Sequence, residues 1–291
     1  TFNTAVSYVT GTAPDYALIG EVSGDGKPDL LVANRGSNDI SVFLNDGTGL
    51  LQTGVTYKVG KKPKAIAIGD IDADGKTDLT VANAGSNNIS LLLSAGDGSF
   101  ADAVNFSSES EPSAIAVADL DRDGDLDLAV SNAGSDSVSL LLGQKAALFK
   151  PSRTLKLPEG SAPGSVAIGD VDNDGIPDLA VANSGADNVG ILLGKGKGVF
   201  SSTLRKVASA GPQTVVMAEL NSDGKPDLAA LTRSGANVLF GQGNGKFKAS
   251  NSYRAGSQPM AMAVGDFNND GKPDIAIANF ISDNVSVMLN Y

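Results

Sequence analysis

The sequence predicts an all-β fold: a six-bladed β-propeller of four-stranded antiparallel blades, built as a single domain over residues 1–291. Three observations predict it. A nine-residue acidic loop occurs six times, its central glycine falling at Gly26, Gly75, Gly124, Gly175, Gly224 and Gly271, in steps of 49, 49, 51, 49 and 47 residues. A period of that size is the mark of a propeller or an array. Short apolar runs bounded by Gly, Asn and Ser turns flank every loop, as strands do. No segment carries a helical period.

The second unit illustrates the elements. Residues 64–70 (KAIAIGD) are small and apolar and suit an inner strand, and the acidic loop follows. Residues 78–83 (DLTVAN) read as a second strand, Ala84–Asn87 as a turn and residues 88–93 (NISLLL) as a third strand. After the Ala95–Gly98 turn, Phe100 to Phe106 forms an outer, fourth strand. That strand opens with Phe2, Leu51, Phe100, Phe149, Phe200 or Phe247. Six residues later Tyr8, Tyr57, Phe106 or Tyr253 follows in four of the six units. Aromatics at so regular a position are expected to pack between blades.

The chain starts on a fourth strand (Phe2–Thr10) and stops after a third (Asn284–Leu289). Residues 2–10 are therefore expected to complete the last blade and cover its open edge. Blade 5 is shorter between its second and third strands, at Leu231–Phe240, and is expected to be the loosest blade or one modified for a partner.

In Asp70-Ile-Asp-Ala-Asp-Gly-Lys-Thr-Asp78, alternate carboxylates point to one side of a tight turn. Asp70, Asp72 and Asp74 occupy positions 1, 3 and 5, Asp78 closes at position 9, and Lys76 offers a carbonyl at position 7. Several hard oxygens on one short loop suit Ca²⁺, which takes 6–8 of them. The corresponding ligands are Asp119, Asp121, Asp123, Asp125 and Asp127 in blade 3, and Asp170, Asp172, Asp174, Ile176 and Asp178 in blade 4. Blade 6 offers Asp266, Asn268, Asp270, Lys272 and Asp274. Blade 1 offers Glu21, Ser23, Asp25, Lys27 and Asp29, and blade 5 offers Glu219, Asn221, Asp223, Lys225 and Asp227. Up to six Ca²⁺ are expected, bound more weakly in blades 1 and 5. An EF-hand is rejected, because position 12 is Val81 or Val181 where that loop needs a bidentate Glu, and the flanks are strands.

The six loops hold 22 of the 33 acidic residues and 5 of the 22 basic ones, a net −17 that leaves +6 elsewhere. Six dications would bring the formal −11 to about +1, so the acidity is mostly metal ligand. Cys, His and Trp are absent. That removes thiol chemistry, the commonest general base and the best sugar-stacking ring. There is no run of 18 apolar residues to span a membrane. With neither a starting Met nor a signal peptide, Thr1 is expected to follow a processed end.

The D-x-D-x-D-G-x-x-D loop between apolar strands, the downstream G-x-F and the Pro before each inner strand resemble the FG-GAP/VCBS repeat of integrin α chains and of many bacterial surface proteins. The resemblance spans essentially the whole chain. It implies a propeller with Ca²⁺ between first and second strands, and an extracellular, cell-surface or periplasmic location. Ser23 and Asn221 at position 3, and Glu21 and Glu219 at position 1, depart from the pattern. So does the count of six blades, where seven is usual in that family.

With calcium loops on one face, the other is left for a partner. The reading favoured is a recognition or adhesion module for a glycan or protein, monomeric and without catalysis. The alternatives are a polysaccharide lyase or hydrolase on the same scaffold, and a structural spacer of a larger surface protein. An acidic chain with no basic helix is not expected to bind nucleic acid. The inter-blade segments, one per blade around Pro14, Pro63, Pro112, Pro163, Pro212 and Pro259, differ in sequence on a repeated frame. Lys61, Lys62 and Lys64 form the densest cationic cluster there and are the expected ligand-binding residues. Asn34, Asn83, Asn132, Asn183 and Asn279 end the second strands on that face, where capping of the turn is favoured over ligand contact.

Overall fold

Twenty-three strands alternate with tight turns in the computed structural model, which describes residues 6–145, 148–201, 205–208, 211–249 and 251–290. Blade 1 comprises β1 (Pro14–Gly20), β2 (Asp29–Asn34), β3 (Asp39–Phe43) and β4 (Val55–Lys58). Blade 2 comprises β5 (Pro63–Gly69), β6 (Asp78–Asn83), β7 (Asn88–Leu92) and β8 (Val104–Ser107). Blade 3 comprises β9 (Pro112–Ala118), β10 (Asp127–Asn132), β11 (Ser137–Gln144) and β12 (Leu148–Lys156). Blade 4 comprises β13 (Pro163–Gly169), β14 (Asp178–Asn183), β15 (Asn188–Leu192) and β16 (Arg205–Ala208). Blade 5 comprises β17 (Thr214–Ala218), β18 (Asp227–Thr232), β19 (Gly235–Leu239) and β20 (Asn251–Arg254). Blade 6 comprises β21 (Pro259–Gly265), β22 (Asp274–Asn279) and β23 (Asn284–Met288).

Each blade is an antiparallel meander in sequence order, and the six blades form a propeller without helices among the described residues. The register repeats: Ile66 opposes Val81 in blade 2 and Val166 opposes Val181 in blade 4. A bulge recurs at the start of the inner strand, between Pro63 and Ala65 and between Pro163 and Ser165. There the proline, with no N–H to give, leaves the ladder at little cost. The second and third strands of blades 1–5 are almost wholly buried, and side chains alternating along them pack between successive blades. Ile40 and Val42 of blade 1 share a cluster with Ile66, Leu79 and Val81 of blade 2. Similar clusters join blades 2 and 3, 3 and 4, 4 and 5, and 5 and 6.

The strand-opening aromatics seal these interfaces from outside. Tyr57 meets Phe100 edge to face at 5.5 Å, and Phe106 meets Phe149 at 5.2 Å. Edge-to-face contact suits the ring quadrupoles and adds about 0.5–1.5 kcal/mol beyond burial.

Two expectations are corrected here. Residues 6–10 carry no strand, and blade 6 is three-stranded among the described residues, with β23 at its edge. The remainder of the expected closing strand, residues 1–5 with Phe2, lies outside the described residues. The stretch is held by a side chain and not by a ladder: Tyr8 docks on blade 1, as fourth-strand Tyr57 docks on blade 2, but no backbone pairing joins residues 6–10 to β23. The Tyr8 ring stands 5.9 Å from that of Phe43, and its hydroxyl accepts the N–H of Leu51 at 2.9 Å. Nor is blade 5 the loosest: its short turn leaves β18 and β19 buried throughout, and the most open blade is the sixth.

Candidate metal centres and the opposite face

Each acidic loop reverses direction through two residues in the left-handed region. In blade 2 these are Ala73 at φ 60° and Gly75 at φ 86°, and the same two positions are left-handed in all six loops. Only glycine takes that conformation without cost, which accounts for the invariant sixth position. The turn gathers its own amides around the first carboxylate. Asp70 accepts the N–H groups of Asp74 and Gly75, each at 3.0 Å. Asp119, Asp170 and Asp266 accept the corresponding pair. The longer Glu side chains bond nearer amides: Glu21 accepts from Ser23 and Gly24, and Glu219 from Asn221. The departures in blades 1 and 5 thus change the loop's internal bonding as well as its ligand set.

Carboxylate oxygens converge in three loops. Asp70, Asp72 and Asp78 present one oxygen each within 4.8 Å of one another, as do Asp119, Asp121 and Asp127, and Asp170, Asp172 and Asp178. Three acidic oxygens so close, in positions 1, 3 and 9, fit a hard cation that would relieve their mutual repulsion. Blade 6 was expected to match these three. Its neutral Asn268 at position 3 instead donates to Asp270 at 2.8 Å, and no such carboxylate triad forms there among the described residues. The position-5 aspartates turn toward the residue two further on. Asp74 accepts the Lys76 N–H at 2.9 Å and its ammonium at 2.8 Å, and Asp25 and Asp223 pair likewise with Lys27 and Lys225. At position 7, Asp125, Ile176 and Lys272 donate their backbone N–H to Asp123, Asp174 and Asp270 at 2.9, 2.8 and 2.9 Å.

The ninth-position aspartate has a second job that the spacing does not reveal. Asp78 is buried, with Oδ2 accepting the Ile71 N–H at 2.9 Å and Oδ1 that of Ser94 at 2.8 Å. Asp29, Asp127, Asp178, Asp227 and Asp274 make the same pair of bonds. Each fastens the acidic loop to the end of its third strand. Burial pushes Asp127 and Asp178 up to about 6, against the pull of those two amides and with a further push from neighbouring aspartates. Burial raises Asp78 and Asp227 in the same way.

The inter-blade segments lie on the other face and are bonded to the turns between second and third strands: the N–H of Gly85 meets the Lys61 carbonyl at 2.8 Å, and that of Ala84 the Lys62 carbonyl at 3.0 Å. A cavity of about 580 Å³ opens there across blades 1–3. Arg35, Lys62, Lys64, Asp15 and Glu111 line it, with Asn87 and Ser110 between them. Lys62 and Lys64 were expected here. Lys61 does not line the cavity, and its backbone N–H is donated to Ser86. Arg35 was missed. Comparing repeats would have found it, since the corresponding residues are Ala84 and Ala133. The second-strand asparagines are buried ties, as capping requires. Asn83 donates to Asn88 at 3.1 Å and to Ser90 at 2.9 Å, and Asn34 and Asn279 do the equivalent.

Fold and site together define a β-propeller whose blades each carry an acidic loop between first and second strands. The chain belongs to the family of the FG-GAP-like repeat, whose profile matches residues 22–81, 70–130, 125–181, 170–230 and 219–277. No curated protein matches the sequence. Among solved structures, an Agrocybe aegerita lectin recognising non-reducing terminal N-acetylglucosamine overlays 96% of this chain and 81% of its own, at 17% identity and TM-score 0.65. BBS1N, solved in complex with ARL6DN, overlays 97% of this chain and 79% of its own, at 15% identity and TM-score 0.63. Virginiamycin B lyase from Staphylococcus aureus overlays 92% and 79%, at 16% identity and TM-score 0.60. At these identities the likeness is one of fold.

Proposed function

We propose that this propeller is a calcium-stabilised extracellular recognition module that binds an acidic glycan on the face opposite its acidic loops. The observation that carries the proposal is the polar cavity across blades 1–3, where Arg35, Lys62 and Lys64 outnumber Asp15 and Glu111. A rigid scaffold carrying differently decorated loops is where recognition usually resides. Arginine offers a planar fork to a carboxylate or sulfate, and the two lysines add mobile cations. The acidic residues and Asn87 supply acceptors and donors for hydroxyls. Calcium in the loops of blades 2, 3 and 4 would hold the frame on which those segments stand. The glycan-binding lectin and the protein-binding BBS1N share the fold, which makes a ligand of either class reasonable on this scaffold.

The test is titration calorimetry with uronic-acid or sulfated oligosaccharides, using the wild type and a Lys62→Ala/Lys64→Ala variant. Binding weakened tenfold or more at unchanged melting temperature supports the cavity, taking about 1.4 kcal/mol as one decade. Undiminished binding in the variant, or none of any acidic glycan to the wild type, overturns it.

A further inference from the structure

The cavity across blades 1–3 carries charge of both signs, and none of it is paired. Arg35, Lys62 and Lys64 line one opening together with Asp15 and Glu111. Among the described residues none of these five side chains makes an ion pair or a hydrogen bond, and the four ion pairs all lie elsewhere. Three cations and two anions leave the cavity a net charge of only +1. A ligand that is acidic and nothing else is attracted by the first set and repelled by the second. A ligand that carries an ammonium beside its acid satisfies both.

The two signs stand on equivalent, fixed positions one blade apart. Lys62 precedes Pro63 of β5, and Glu111 precedes Pro112 of β9. Both are left-handed, at φ 53° and 52°. Glycine escapes the steric cost of that conformation, and blade 5 has Gly211 there at φ 59°. Asn38 Oδ1 accepts the Lys62 N–H at 2.8 Å, and Asn87 Oδ1 accepts that of Glu111 at 2.9 Å. The Lys62 carbonyl accepts the Ala84 N–H at 3.0 Å, and the Glu111 carbonyl that of Ala133 at 2.9 Å. The side-chain stems lie on glycines: a Cβ added at Gly85 would meet Lys62 Cγ at 3.0 Å, and one at Gly134 would meet Glu111 Cγ at 3.1 Å. Backbone and stem are thus set before a ligand arrives, which spares the cost of ordering them on binding. Asp15 shares blade 1 with Arg35, whereas Glu111 is the one charged residue that blade 3 gives the cavity.

From these observations we infer that the ligand of this cavity is a zwitterionic glycan: a uronic acid held by Lys62 and Lys64, next to an amino sugar whose free ammonium pairs with Glu111. The inference rests on the glycan reading of the cavity and narrows its ligand class. N-acetylation of the amino sugar removes the positive charge and leaves Glu111 without its partner. A volume of about 580 Å³ lies within the range of pockets that enclose small ligands.

The test is calorimetric titration with uronic acid–glucosamine oligosaccharides of one length, N-acetylated and after N-deacetylation. Wild type, Glu111→Gln and the Lys62→Ala/Lys64→Ala variant are compared in calcium. The wild type is expected to bind the free-amine form at least about tenfold more tightly than the N-acetylated form, as a charge-assisted contact provides. Glu111→Gln, at an exposed position, is expected to erase that preference at unchanged melting temperature. The lysine variant is expected to weaken both forms. Equal lysine-dependent binding of the two forms by the wild type, or a preference that survives Glu111→Gln, overturns the inference and leaves the acidic-glycan reading standing. Binding of neither form, or binding indifferent to the lysines, overturns that reading and the inference with it.

Discussion

The Oδ1 of Asp78 accepts the backbone N–H of Ser94 at 2.8 Å, joining the end of an acidic loop to the end of the third strand of its blade. Its Oδ2 holds Ile71 at the start of the loop. One side chain therefore fixes both ends of the structure that offers metal ligands. Asp78→Ala leaves two amides without their acceptor, one of them on the buried Ile71, and is expected to cost about 2–4 kcal/mol. Urea unfolding without calcium isolates this from any metal effect. An unchanged midpoint would remove the latch from the account.

Acid acts in opposite senses on the two forms of the protein. Asp127 and Asp178 titrate at about 6 in the folded chain, above the usual carboxylate value of 3.8. The folded state therefore keeps these protons after the unfolded chain has lost them. Their contribution to stability is complete below about pH 4 and is lost as pH rises through about 6. In chelator, the melting temperature is expected to fall across that window, and less so in Asp178→Asn. With calcium the order reverses, because protonation then competes with ligation. Parallel pH profiles with and without calcium would contradict both statements.

The triads should differ from the other loops in metal affinity. Asp72→Ala, Asp121→Ala and Asp172→Ala each remove one of three converging carboxylates. Each is expected to eliminate one calcium by elemental analysis of the desalted protein. Ser23→Ala, in a loop with no triad, is expected to leave the stoichiometry of tightly held calcium unchanged. Equal losses in both classes would dissolve the distinction between them.

Ligand binding and metal binding are expected to separate by mutation. Arg35→Ala should weaken an acidic oligosaccharide about five- to tenfold, as loss of one charge-assisted contact does, without altering calcium stoichiometry. Asp72→Ala should lower the melting temperature and leave affinity unchanged in the folded protein. If Asp72→Ala abolishes binding while the fold persists, the ligand sits on the calcium face.

Much of this architecture is legible in the sequence because a repeat states each rule six times. Six glycines at a common phase locate the loops, and the spacing from Tyr57 to Phe100 foretells a ring contact between blades. Carboxylates at positions 1, 3 and 9 are visible as potential ligands before any fold is known. The latch at Asp78 is not, because its partners are backbone amides and leave no residue-type signature. The cavity needs Arg35, Lys62 and Glu111 from three successive blades, which only the curvature of the ring brings together. The closing strand was misread over its described part for a related reason. Residues 6–10 have the phase of a fourth strand, but whether they pair with β23 depends on how five successive interfaces place blade 6 against blade 1, which no single repeat encodes.

The central claim, that the acidic loops are calcium sites on which the fold leans, is tested most directly by calorimetric titration of the chelator-treated protein with CaCl₂, paired with its melting temperature at each addition. The account predicts saturable binding at three or more sites and a melting temperature that climbs with free calcium, as mass action requires. No heat of binding, and a melting temperature indifferent to calcium, would contradict it.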